Sequence, residues 1–91
     1  MKLGWSHTSL ADLEHVIAFV AEDNPAAAAH LADAIRDAVD SLVRFPAMGR
    51  PGRVPDTREL VVAGTPYIIP YRAAGGTIMI LSVLHAARRG P

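Results

Sequence analysis

Apolar positions change rhythm along this chain, and each change marks an element. Over Lys2 to Ser6 (KLGWS) they alternate, with Leu3 and Trp5 on one face, which predicts a short first strand. From Leu10 to Val20 the steps become three and four. Leu10, Leu13, Ile17 and Val20, with Val16 beside them, form the stripe of an amphipathic helix. Thr8 and Ser9 are good N-caps for it, and Asp12 follows Ser9 at the spacing of a capping box. Asn24-Pro25 then closes one helix and opens another, because asparagine caps well and proline tolerates the first helical position. The second helix runs to about Phe45, with Ala28, Leu31, Ile35, Val39 and Leu42 inward and Asp33, Arg36, Asp37, Asp40 and Arg44 outward. Asp40 and Arg44 have the i,i+4 spacing of a weak helical ion pair. Two helices joined by so tight a turn read as an α-hairpin.

The stretch from Phe45 to Thr57, rich in proline and glycine, reads as a loop. Three strand-like runs follow: RELVVA, YIIPY and TIMILSVL, linked by Gly64-Thr65 and by RAAGG, both suited to hairpins. The last run is apolar on both faces, as a central strand would be. Pro70 cannot donate to a ladder and implies an edge or a bulge. One strand, two helices and an antiparallel meander predict an α+β fold, a single domain over residues 1–91.

Composition sharpens this picture in two ways. With no cysteine, neither disulfides nor thiolate metal sites can help so small a chain, and 51% hydrophobic residues must supply the core. Nine basic and nine acidic residues cancel overall but segregate. Asp12, Glu14, Glu22, Asp23, Asp33, Asp37 and Asp40 face only Arg36 over residues 12–40, whereas residues 44–91 carry seven arginines against Asp56 and Glu59. A basic second half permits contact with nucleic acid or with an acidic peptide. The N-terminus has no long apolar signal core and no segment approaches a membrane span, so a soluble cytoplasmic protein without membrane contact is expected.

Candidate chemistry is sparse. His7, His15, His30 and His85 share no metal-ligand spacing, so no metal is expected, and no fingerprint of a nucleotide or other cofactor appears. GRPGR, carrying Arg50 and Arg53, is either a phosphate contact or a solvated loop. Tyr67, Ile69 and Tyr71 share one strand face, with Ile68 and Arg72 on the other. Arg58 begins its strand beside Glu59, as in a sheet-edge ion pair. Alternation through Met79, Leu81 and Val83 puts His85 on their face at the end of the last strand. Histidine titrates near neutral pH and suits general acid–base work, and Arg88 and Arg89 just beyond it suit phosphate.

In order and spacing, LADLEHVIAFVAEDNPAAA, LVRFPAMGRPG, TRELVVAGTPYIIPYR and ILSVLHAARRGP resemble the RelE/ParE superfamily of bacterial type II toxins. The resemblance covers about 85 residues. It implies two antiparallel helices packed on a twisted antiparallel sheet, and a cognate antitoxin whose extended segment wraps the toxin. One branch of the superfamily cuts messenger RNA on the ribosome and the other poisons DNA gyrase. In the nucleolytic branch a strand reads roughly Y-R-[LIV]-x-Y. Here Tyr67-Ile68-Ile69-Pro70-Tyr71 puts Ile68 in the arginine's place, and Glu59 and Val61 stand where further cations are expected. The VLH ending looks ParE-like. The resemblance therefore implies gyrase as target, met by His85, Arg88 and Arg89, and an antitoxin met by Arg53, Arg58 and Arg72. The alternatives are an mRNA endonuclease using His85, Arg88 and Arg58, or a degenerate toxin that only binds its antitoxin. Gly90 stands where related chains often carry an aromatic residue.

Overall fold

The computed structural model describes residues 1–88, of Arg88 the backbone alone. Strand β1 (Lys2–Trp5) leads into helix α1 (His7–Asp23) and helix α2 (Pro25–Ser41), followed by β2 (Arg50–Pro51), β3 (Arg58–Val61), β4 (Tyr67–Ala74), β5 (Thr77–Ile80) and β6 (Leu84–His85). The sheet order is β1-β5-β4-β3-β2, with β6 also paired to β4. The fold is α+β as expected, but the sheet is mixed. β2, β3, β4 and β5 pair antiparallel, whereas β1 lies parallel to β5, Lys2 opposite Thr77 and Trp5 opposite Ile80. Alternation in five residues shows that a strand exists but carries no sign of its direction against a neighbour.

The helical hairpin forms as its caps dictate. Asn24 serves both helices: its N–H donates to the Val20 carbonyl and closes α1, while its side-chain oxygen accepts from the Ala27 N–H (3.0 Å) and opens α2 at Pro25. The cap of α1 is Ser6 rather than Thr8 or Ser9. The Ser6 hydroxyl accepts from the Ser9 N–H (3.0 Å), so the helix starts at His7 and Asp12 sits too far along to complete a capping box. On α2 the ion pair joins Asp33 and Arg36 (3.2 Å), and Arg44 lies over the Phe45 ring instead of reaching Asp40.

The core lies between the hairpin and one face of the sheet. Leu31, Ile35, Val39 and Leu42 of the second helix and its last turn meet Leu60, Val62, Tyr67, Ile69, Tyr71, Ile78, Ile80 and Val83. Leu13, Val16, Ile17 and Val20 of α1 pack against this cluster, while Leu10 is 48% exposed and drops out of the predicted stripe. Removing each large aliphatic side chain from water is worth about 1.5–3 kcal/mol, which lets one face of a small sheet hold the fold. β4 and β5 join through Gly75-Gly76, both at positive φ (59° and 78°), the backbone a two-residue hairpin turn demands. No helix among the described residues is long and apolar enough to cross a membrane.

Candidate functional site

The run TIMILSVLH does not form one regular strand. Continuing the β5 register would set Leu84 opposite Tyr67. Instead His85 is opposite Tyr67 and Leu84 opposite Ile68, so one extra residue is taken up between Ile80 and Leu84. This bulge also resolves Pro70. Its carbonyl accepts from the Leu81 N–H (2.9 Å), so its missing N–H would have pointed toward the bulged segment, where the ladder is already interrupted.

A one-residue bulge exchanges the faces of everything after it. Met79 and Leu81 lie on the sheet's open face, but Val83 turns inward (4% exposed) and His85 follows it to the helix side. The even alternation predicted for Met79, Leu81, Val83 and His85 is thus broken after Leu81. The His85 ring meets that of Tyr67 edge-on, centroids 5.4 Å apart at 87°, and its Nδ1 accepts from the Ala87 N–H (3.2 Å). Around it Asp12, His15, Val16 and Phe19 of α1, with Tyr67 and Val83, line a cleft of ≈310 Å³. Phe19 is 55% exposed at its edge.

The bulge is tied down from α1 by residues far away in sequence. The Asp12 carboxylate accepts from the Ser82 hydroxyl (2.5 Å) and from the Val83 N–H (3.0 Å) through the same oxygen. The Ser6 hydroxyl donates to the Leu81 carbonyl (3.1 Å) while its oxygen caps α1. Sequence reasoning missed Asp12, Ser6 and Ser82 in this role. The available signal was Ser82 itself, a lone polar residue in the apolar run ILSVL.

Charge gathers on the opposite face. Glu59, paired in register with Pro70, is buried and makes an ion pair with Arg50 of the neighbouring strand (Nε to Oε1, 3.5 Å), not with Arg58. Around it Arg53, Val54, Arg72, Leu81 and Leu84 line a second cleft of ≈280 Å³. Ile68, in the place where a nucleolytic relative would carry arginine, is almost fully covered (5% exposed).

Arg58 is tied to the loop after α2, although it also lines a cleft of ≈500 Å³ with Arg72. It is registered with Tyr71 on the core face, and one guanidinium nitrogen donates to the carbonyls of Ala47 (3.3 Å) and Gly49 (2.8 Å). The Tyr71 hydroxyl completes the brace, donating to the Pro46 carbonyl (2.8 Å) and accepting from the Gly49 N–H (2.9 Å). These bonds hold rigid the loop after α2 that presents Phe45 and Met48. His85 and Arg58 are registered four residues apart on β4, about 13 Å at a strand rise of ~3.3 Å per residue. The structure therefore gathers Arg53 and Arg72, leaves His85 on the other side, and ties Arg58 to the loop at the border of a cleft it shares with Arg72. Arg89 and the side chain of Arg88 lie outside the described residues. Among the described residues no three His, Asp or Glu side chains cluster as metal ligands would.

Comparison with known proteins gives concordant findings. Residues 3–90 match the sequence model of the ParE toxin of the type II toxin–antitoxin system parDE. The chain is 44% identical to the toxin-family protein Y4kP of Sinorhizobium fredii, over 99% of its own length and 93% of that protein's. It is 38% identical to toxin RelE2 of Caulobacter vibrioides, over 92% and 93% of the two chains. A solved chromosomal ParDE toxin–antitoxin system from P. aeruginosa contains a chain that superposes with a TM-score of 0.84 at 30% identity, covering 93% of this chain and 95% of that one.

Proposed function

This chain belongs to the ParE toxin family of type II toxin–antitoxin systems, and we propose that it inhibits growth in the cytoplasm by poisoning DNA gyrase and is neutralised by a cognate antitoxin. The observation that carries the choice of target is the bulge. Cutting RNA without a metal requires an acid–base group and cations to converge on one phosphate, and loss of a single charge-stabilising donor can cost ~10²–10³ in rate. Here His85 faces α1, Arg53 and Arg72 lie across the sheet from it, and Arg58 is pinned to two loop carbonyls. Ile68 fills the remaining place with a buried aliphatic side chain. A phosphodiester at either face would meet only part of the set. In this reading His85, Arg88 and Arg89 grip a target and do not cleave it.

The antitoxin reading rests on two surfaces. The apolar cleft of Val16, Phe19 and Tyr67 offers anchors that give most of the affinity once desolvated, and Arg53 and Arg72 on the open face attract acidic side chains. Leu84 lines both clefts, so an extended segment passing over the end of β6 reaches the two together.

The test is a supercoiling reaction with purified gyrase, run beside ribosome-dependent cleavage of a translated message. The expected result is arrested supercoiling and an intact message. Codon-specific cuts that vanish in His85→Ala would overturn the reading in favour of the nuclease. Antitoxin binding without effect in either assay would leave a degenerate toxin.

A further inference from the structure

The last strand segment has two registers open to it. In the observed one Val83 is buried against the helices and Leu84 faces the open side. Slipped by one residue, so that the β5 pairing ran on unbroken, Leu84 would turn inward opposite Tyr67, and Val83 and His85 would turn outward. Either way one branched aliphatic side chain enters the core, so apolar burial does not decide between them. The hydrogen bonds do. Leu81 already bonds to Pro70, so in an unbroken antiparallel ladder the next such residue, Val83, would aim its N–H at the Ile68 carbonyl. In the structure that N–H is turned instead to Asp12, whose carboxylate oxygen also holds the Ser82 hydroxyl.

We propose that Asp12 is a positioning residue: by holding Ser82 and Val83 it selects the bulged register and so sets on which face of the sheet His85 must act. The link to target binding rests on the function proposed above, but the register selection does not. It deals with a face choice that no residue near His85 makes for itself. Bulge and latch also explain each other, since deleting one residue from the bulge would give a regular strand that keeps Val83 inward and His85 opposite Tyr67.

The test reads geometry, not toxicity. In the wild-type chain, nuclear Overhauser contacts are expected between the ring protons of His85 and Tyr67. Asp12→Asn, which keeps an oxygen acceptor, should retain them, and Asp12→Ala should lose them. Combining Asp12→Ala with deletion of Ser82 should bring them back, because a regular strand has no need of the latch. Persistence of the full contacts in Asp12→Ala, or no recovery in the combined variant, overturns the proposal. If Asp12→Ala alone does not fold, the combined variant carries the test: a folded chain with the Tyr67–His85 contact supports the latch, and an unfolded one overturns it. A gyrase assay that failed would bear on the target alone and leave these contacts as they are.

Discussion

Tyr71 shows how much one side chain can carry here. Its ring is fully buried in the core and its hydroxyl spans the gap to the loop after α2, satisfying the Pro46 carbonyl and the Gly49 N–H at once. Tyr71→Phe would strand the buried Gly49 N–H and take the partner from the half-buried Pro46 carbonyl, a cost of about 1–3 kcal/mol. For a chain of this size the melting temperature should fall by ~4–8 °C per kcal/mol, which a thermal scan would read. Gly49 cannot take a side chain, because a Cβ there would stand 2.6 Å from the Tyr71 ring and 2.9 Å from the Glu59 carbonyl. Arg58→Ala should loosen the same loop, visible as faster amide exchange over residues 47–49, with the core strands unaffected. Sequence reading set Tyr71 on one strand face with Tyr67 and Ile69, and that face is the core. It had no means of finding the loop carbonyls that the hydroxyl and Arg58 serve, because those partners lie 9 to 25 residues away and are backbone atoms.

The helices were the most legible elements. Ala28, Leu31, Ile35, Val39 and Leu42 repeat at helical spacing and all are buried, because local periodicity and tertiary burial agree in α2. Asn24 and Pro25 are read equally well, since a cap is a contact between near neighbours. Asn24→Ala should destabilise by ~1 kcal/mol through the lost cap bond, measurable by urea denaturation. Ile35→Ala, at a position 1% exposed, should cost more, ~2–5 kcal/mol with the cavity included. The bulge before β6 was not legible. Both faces of ILSVL are apolar, so alternation is silent about register, and the deciding contact comes from Asp12, some seventy residues earlier. The proline did announce a bulge, though in β4, one strand away from where it formed.

At the scale of the molecule the segregated charge becomes a division of surfaces. The acidic residues of α1 and α2 cover the helical side, and Arg50, Arg53 and Arg72 gather about the open face of the sheet. Replacing Arg53 and Arg72 together by glutamate should slow association with the antitoxin and weaken its salt dependence, and should also lower the melt, because the new carboxylates would face the buried Glu59. Surface plasmon resonance at two ionic strengths would separate that on-rate effect from a change in dissociation. Arg88→Ala with Arg89→Ala should sharply reduce growth inhibition while leaving antitoxin binding intact. A fully toxic double variant would move the target contact to Arg50 and Arg53.

The parallel seam between β1 and β5 has a consequence for how such a chain is made. A ribosome delivers Lys2 to Trp5 first, yet their strand partners are Thr77 to Ile80. Until those later residues leave the exit tunnel, the opening strand has nowhere to pair and Ser6 cannot reach Leu81. Such distant pairing slows folding, since the intervening loop must close before any contact rewards it. A copy that lacks the residues from Thr77 onward therefore has no partner for its opening strand, so the parallel seam, and with it the Ser6 contact to the bulge, is among the last parts of the sheet to form.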